Sequence, residues 1–155
     1  MQWLIIIPLI VVTVGIFYYH YIARRLPGSI SQTVLYGKNG KWVLGGCIIV
    51  SSICLWLCCL SAIPQEYFWM AWLACASLLI VAFAPISDRD NYNIHTIAAA
   101  LAGVMVTTIS AIIYAPCLVV WVFFVAYILF SDCSYKLLVA ELSCLVEMVW
   151  AILSY

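Results

Sequence analysis

Two glutamates lie in the last apolar segment of the chain, where ionisable side chains are least expected. Glu141 and Glu147 fall within a mostly apolar run from Tyr135 to Ser154, which is long enough to cross a membrane. An ionised carboxylate in hydrocarbon is expensive, so such residues face protein or water and are candidates for function. Helical spacing places the two side chains about 120° apart around the axis, so they do not form a paired-carboxylate site.

Glu147 would lie near the middle of a bilayer, about 16 Å along the helix axis from Lys136. The predicted spans contain no Lys or Arg that could neutralise it. We therefore expect a neutral acid that is hydrogen-bonded to a Thr or Ser of the fourth span. A proton or cation relay and the recognition of a partner helix are the two alternatives.

A second group of polar residues is predicted at the cytoplasmic membrane surface, with Glu141 one to two helical turns deeper. Its members lie at span ends and in loops: His20, Ser29, Ser31, Asp88, Asp90, His95 and Asp132. Histidines and carboxylates that meet at one face could bind zinc and activate water for lipid hydrolysis. The two histidines form no ligand-spacing motif, and polar anchoring at the interface explains them equally well. We therefore assign no metal and no cofactor.

The composition places these residues in a membrane protein. The chain has 155 residues, of which 68% are hydrophobic and only 8% are charged. A soluble domain of this size needs a charged, solvated surface that this chain cannot supply. We predict one all-α domain, residues 1–155, built as a polytopic transmembrane helical bundle. The formal net charge is zero, which gives no reason to expect binding to nucleic acid.

Hydropathy and turn residues divide the chain into six predicted spans. They run over Gln2–Ile22, Trp42–Ala62, Tyr67–Ala84, Ile94–Tyr114, Cys117–Ser131 and Tyr135–Ser154. In a five-span alternative, the two glutamates make the last segment lie flat in the cytoplasmic interface. The fourth span carries small residues at four-residue intervals, Ala99, Gly103, Thr107 and Ala111, so we expect it to pack at the centre of the bundle.

The basic residues predict the orientation. All six lie in or at the edge of every second loop between the spans, namely Arg24, Arg25, Lys38, Lys41, Arg89 and Lys136. Because cytoplasmic loops retain Lys and Arg, these loops should face the cytoplasm, and both termini should face the other side. We predict an integral protein of a bacterial cytoplasmic (inner) membrane.

Two stretches resemble a group of small, uncharacterised multi-span proteins and, more distantly, the Frag1/DRAM/Sfk1 and DUF998 membrane families. One is Leu26–Thr33, which contains a Ser-Ile-Ser segment after the first span. The other runs from Ala84-Pro85 through Asp88 to His95, with Ala98 and Ala99 following. The resemblance implies a six-helix membrane protein without an established reaction, and its matched positions are Ser29, Ser31, Asp88 and His95.

These observations lead to one functional hypothesis and two alternatives. A packing stripe without a catalytic motif favours a non-enzymatic protein that binds a lipid or another membrane protein, including a second copy of itself, within the bilayer. The first alternative is a metal-dependent lipid hydrolase that uses His20, His95, Asp88 and Asp90. The second is a small proton- or cation-coupled transporter that relies on Glu147.

Overall fold

A computed structural model describes residues 2–24, 26–30, 40–83, 92–131 and 135–155 of the chain. Within these ranges the protein is all-helical, as predicted, and contains no strand. Its α-helices are α1 (Ile6–Ala23), α2 (Gly40–Ala62), α3 (Phe68–Phe83), α4 (Tyr92–Tyr114), α5 (Val120–Phe130) and α6 (Lys136–Ser154). Three short 3₁₀ segments accompany them, at Gln2–Ile5, Gln65–Tyr67 and Ala115–Val119.

Five stretches of the described chain are long and apolar enough to cross a membrane, so the predicted count of six is not confirmed. They are Trp3–Ala23, Gly45–Ala62, Gln65–Phe83, Tyr92–Phe130 and Lys136–Ser154. The last segment is one of the five, whereas the five-span alternative had it lie flat. The difference from six arises in the fourth stretch, whose 39 residues cover the predicted fourth and fifth spans.

This fourth stretch is not one straight helix. Thr107 of α4 and Trp121 of α5 both donate to the same carboxyl oxygen, Oε2 of Glu147. In a straight helix these two residues would be about 21 Å apart along the axis. The chain therefore reverses direction between α4 and α5.

Pro116 explains where the reversal occurs. Proline lacks the N–H that an α-helix needs and disfavours helical geometry at the residue before it. The α-helical pattern ends at Tyr114, which has φ −154° and ψ 87°, and Ala115–Val119 continues as a 3₁₀ turn. As a result, α5 has 11 residues, fewer than the 15 predicted for the fifth span.

Helix α4 packs against α3 and α6, in agreement with the central position predicted for it. Three contacts along its length fix its register with α6. A Cβ atom at Gly103 would lie 3.8 Å from Cys144 Sγ. Further along, Thr107 contacts Glu147 and Ser110 contacts Met148. Residue numbers rise together on both helices, so α4 and α6 run parallel.

The buried core surrounds the last of these contacts and extends towards the C-terminal end of α6. It joins the first 3₁₀ turn to α2, α3, α4 and α6 through Ile5, Cys58, Cys59, Ile63, Met70, Ala71, Ala74, Val106, Ile109, Met148 and Ile152. Cysteine packs here as a small apolar residue, since Cys58 and Cys59 are 0% and 2% exposed within this cluster.

The close approach of α4 to α6 predicts the effect of enlarging Gly103. Gly103→Ala should be tolerated, because its Cβ would meet Cys144 at an ordinary contact distance. Gly103→Leu should separate the two helices and cost about 1–3 kcal/mol. Thermal unfolding in detergent, followed by circular dichroism, measures the difference.

Gly46→Leu is the matched control, because a Cβ at Gly46 meets nothing within 4 Å. An equal loss of stability in the Gly46 and Gly103 variants would contradict the proposed helix contact.

Candidate functional site: two glutamates on the last helix

Glu147 is the most deeply buried of the three glutamates, with 0% of its surface exposed. It points from α6 into the space between α4 and α5. Thr107 Oγ1 donates to its Oε2 at 3.1 Å, and Trp121 Nε1 donates to the same oxygen at 2.9 Å. Cys117 Sγ lies 3.9 Å from the other oxygen, Oε1. A single carboxyl group thus joins α4, the 3₁₀ turn, α5 and α6.

The local structure of α4 explains how Thr107 becomes available. A hydroxyl inside a helix commonly donates to the carbonyl four residues earlier. Thr108 follows this pattern by bonding to Val104, and Thr96 does so by bonding to Tyr92. Thr107 instead faces α6 and donates to Glu147. The hydrogen bond expected between Glu147 and a Thr or Ser of the fourth span is therefore present.

The partners of Glu147 accommodate both of its protonation states. An ionised carboxylate only accepts hydrogen bonds, and all three partners can donate to it. A neutral carboxyl also needs an acceptor, which the Thr107 hydroxyl or the Cys117 thiol can provide by rotating. Trp121 Nε1 can only donate, so it holds one oxygen as an acceptor in either state.

Glu141 lies nearer the start of α6 and contacts a different part of the chain. The backbone N–H of Ile30 donates to its Oε2. Ile30 belongs to the described stretch Leu26–Ile30, which follows α1 and packs into the protein. Pro27 and Ser29 of this peptide are almost fully buried, with Ser29 1% exposed. The peptide Leu26–Ile30 is thus docked on α6 at the predicted cytoplasmic end.

The same peptide also caps the first turn of α6. The first N–H groups of a helix have no partner within it and must find one elsewhere. The carbonyl of Gly28 accepts from Leu138 N at 3.0 Å, in the first turn of α6. The Tyr127 hydroxyl of α5 accepts from Tyr135 N, just before the helix, at 3.1 Å. Both contacts satisfy backbone groups that water would otherwise have to reach.

The residues predicted for the cytoplasmic polar site are only partly brought together. Ser29 is buried in the docked peptide next to Ile30, and hence near Glu141. His95 is 4% exposed and lies on α4 eight residues before Gly103, which places it level with the start of α6. His20 is exposed near the end of α1, where its carbonyl accepts from Arg24 N. The other four, Ser31, Asp88, Asp90 and Asp132, lie outside the described residues.

A metal centre gains no support from the part of the chain that the structure describes. Among those residues, no group of three or more His, Cys, Asp or Glu side chains could hold a metal ion. Two of the four residues in the hydrolase hypothesis, Asp88 and Asp90, are outside that part, so the hypothesis stays a prediction.

Several partners of the two glutamates could not be identified from sequence. Trp121 and Cys117 lie in an apolar segment where aromatic and thiol side chains usually serve as packing residues. Their contact with Glu147 depends on the chain reversal between α4 and α5. Neither their residue types nor their spacing in the sequence distinguishes them from ordinary packing residues. Gly28 and Ile30 act through backbone atoms, for which the sequence carries no side-chain signal.

Comparison of the chain with models of known protein families, with curated proteins and with solved structures gives no match in any of the three. The resemblance to Frag1/DRAM/Sfk1 and DUF998 membrane proteins therefore stays a prediction.

The environment of Glu147 predicts a clear difference between two substitutions. Glu147→Ala leaves Trp121 Nε1 and the Thr107 hydroxyl without their acceptor, at a cost of about 1–3 kcal/mol for each buried group. Glu147→Gln keeps a carbonyl oxygen for Trp121 and should lose much less stability. Chemical denaturation in mixed micelles would rank the two variants.

Glu66→Ala serves as the control, since Glu66 is exposed in the turn before α3. Equal stability of Glu147→Ala and Glu66→Ala would show that the buried hydrogen bonds contribute nothing to folding.

The Glu141 contact predicts how firmly the docked peptide is held. Glu141→Ala removes the acceptor of Ile30 N–H, and the loss of about 1 kcal/mol should speed amide exchange there by roughly fivefold. Glu141→Gln keeps an acceptor and should behave like the wild type. Hydrogen–deuterium exchange of a peptide covering residues 26–30 provides the measurement, and identical exchange in all three proteins would contradict the docking.

Proposed function

We propose that the chain is an integral membrane protein that crosses the bilayer six times and acts by binding a lipid within it. The main observation in support of lipid binding is that α5 has a large exposed surface. This helix packs on α6 along one side, and none of its own residues is buried. A second membrane protein is the other class of partner, and the experiment below distinguishes the two.

The register of α4 and α6 supports six crossings. The two helices run parallel and contact each other from Gly103 and Cys144 to Ser110 and Met148. A segment lying flat in the interface would cross α4 instead of following it. The reversal after Tyr114 divides Tyr92–Phe130 into two antiparallel segments, and each of these then supplies one crossing.

The charge pattern gives this arrangement its orientation. Lys136 starts α6 at the end of the bundle where the peptide Leu26–Ile30 docks, which agrees with one side for the basic residues of both regions. Retention of Lys and Arg on the cytoplasmic side then places both termini on the opposite side. The bacterial cytoplasmic membrane is the location that we propose.

The exposed surface of α5 is broad and made of bulky side chains. We define the α5 outer face as Val122, Phe123, Val125, Leu129 and Phe130, which are 52–87% exposed. At about 100° per residue these five positions fall within an arc of roughly 160°. Trp121, which contacts Glu147, lies outside this arc, about 120° from its centre, so the face itself is apolar.

The side-chain sizes on this face favour a lipid over a closely packed partner helix. Helices associate in membranes chiefly through small residues, which let two backbones approach. The chain places such residues on α4, where Gly103 faces α6. The α5 outer face instead presents branched and aromatic side chains, whose irregular surface suits flexible acyl chains.

Site-specific photocrosslinking tests this proposal. A photoreactive side chain at Phe123 or Leu129, on the α5 outer face, should capture one lipid class several-fold more than the same group at Phe17. Phe17 is the control because it is equally exposed, at 70%, but lies on α1. Mass spectrometry of the adducts, formed in membranes of the host and in vesicles of its extracted lipids, identifies what was captured.

Three other outcomes would count against the proposal. A protein adduct at Phe123 in the membranes of the host would replace the lipid with a membrane-protein partner. Equal labelling by all lipids at Phe123 and Phe17 would show that α5 is an ordinary lipid-facing surface. Copurification with no lipid or partner, together with a measurable hydrolytic activity, would favour the hydrolase alternative.

A further inference from the structure

We propose that Glu147 binds an exchangeable proton, which reaches it from Glu141 along α6 through Cys144 and Thr107. The proposal goes beyond lipid binding and does not rest on it. It starts from the position of a fully buried carboxyl group whose partners can donate to it when it is ionised and, after rotation, accept from it when it is neutral.

The groups of this path follow one another across α6 and α4. Glu141, Cys144 and Glu147 are spaced three residues apart, and side chains at this spacing have Cβ atoms about 5–6 Å apart. Cys144 Sγ faces Gly103 of α4, one turn before Thr107. The Cys144 thiol thus lies within one helical turn of Thr107, which donates to Glu147.

The hydrogen-bond partners of Glu147 favour a proton over a metal cation as the ligand. Metal cations bind to lone pairs, but Trp121 Nε1 and Thr107 Oγ1 present hydrogens to Glu147 Oε2. Among the described residues no group of carboxylate, imidazole and thiol side chains is arranged to hold a metal. A proton needs only one oxygen of Glu147 and a rotation of the Thr107 hydroxyl.

The transfer moves one proton and leaves each intermediate group as it was. Glu141 takes a proton from the aqueous side and gives it to the sulfur of Cys144. The thiol passes its own proton to the oxygen of Thr107, and the hydroxyl passes its proton to Glu147. The same transfers in the opposite order, after the hydroxyl and the thiol rotate to their starting orientations, return the proton to Glu141.

Glu141 is suited to be the point of entry. It is only partly buried, and it lies five residues, or about 7.5 Å along the axis, from the exposed Lys136. The docked peptide holds its carboxyl group through Ile30 N–H, which fixes its position at the predicted cytoplasmic end.

The other groups that face Glu147 are neutral in their ordinary state. Cys117 of the 3₁₀ turn approaches Oε1, and Ser110 of α4 bonds to Met148 beside it. Cys58 of α2 and Ile5 of the first 3₁₀ turn pack in the cluster that contains Met148. Lys136, the basic residue of the same helix, is about 16 Å away along the axis. Titration of Glu147 therefore changes the charge of this region by itself.

Infrared spectroscopy of the protein in lipid nanodiscs tests the proposal directly. The chain has three glutamates, Glu66, Glu141 and Glu147. With ¹³C-labelled glutamate, the carbonyl band of a protonated carboxyl should titrate, should shift on transfer to D₂O, and should be lost in Glu147→Gln. The double variant Glu66→Gln, Glu141→Gln leaves Glu147 as the remaining glutamate and assigns the band if Glu147→Gln does not fold.

Variants of the intermediate groups test the path. Thr107→Val and Cys144→Ala should slow the deuterium shift of the Glu147 band several-fold, and Glu141→Gln should slow it as well. Thr107→Ser and Cys144→Ser keep an exchangeable hydrogen, and each should restore the rate. Because a thiol is a weak donor and acceptor, Cys144→Ser should exchange at least as fast as the wild type.

Each contrary result overturns the proposal in a distinct way. A Glu147 that remains ionised throughout the pH range of the folded protein would bind no proton. A protonated band that never shifts in D₂O would mark a fixed structural hydrogen bond. Equal exchange rates in Thr107→Val and Thr107→Ser would remove the path through α4.

Discussion

A polar group inside a membrane must find its partners within the protein, because hydrocarbon offers none. The arrangement around Glu147 follows from this constraint. Its carboxyl group receives donors from α4, from the 3₁₀ turn and from α5, and it is carried by α6. To bring these donors together, the chain must reverse beside α6. The buried acid thus sets where α5 lies as much as the turn residues do.

The two glutamates of α6 meet the same constraint in different ways. Glu147 is satisfied by side chains from the interior of the bundle, where no water is needed. Glu141 is satisfied by a backbone amide from a loop at the predicted cytoplasmic end. One therefore fixes helix packing within the bilayer, and the other fixes the position of a surface peptide. Their separation of about 120° around the helix allows both to occur on one element.

Much of this architecture could be predicted from the sequence, because the relevant signals are local. The observed helices begin and end within a few residues of the predicted spans, apart from the shortened α5. The small residues of α4 indicated a close contact, which Gly103 makes with α6. The partner of Glu147 on the fourth span was also expected, since an acid in that position needs a hydroxyl.

What could not be predicted depends on contacts between distant parts of the chain. In the sequence, Trp121 is indistinguishable from an ordinary aromatic packing residue. Its contact with Glu147 depends on the reversal of the chain after Tyr114. The peptide after α1 contacts α6 through the backbone atoms of Gly28 and Ile30. The types of these two residues do not indicate such contacts. The cytoplasmic polar group was predicted from residue types alone. Of its members in the described chain, Ser29 and His95 are buried while His20 remains on the surface.

The docked peptide also has a consequence for biogenesis. Ile30 and Glu141 are 111 residues apart, so the first loop leaves the ribosome long before its binding surface on α6 has been synthesised. Until the last helix is made, Ile30 N–H lacks the acceptor that Glu141 provides in the folded protein. Closure of that contact would mark the completion of the nascent chain, and a chain truncated before α6 would keep its first loop accessible to proteases.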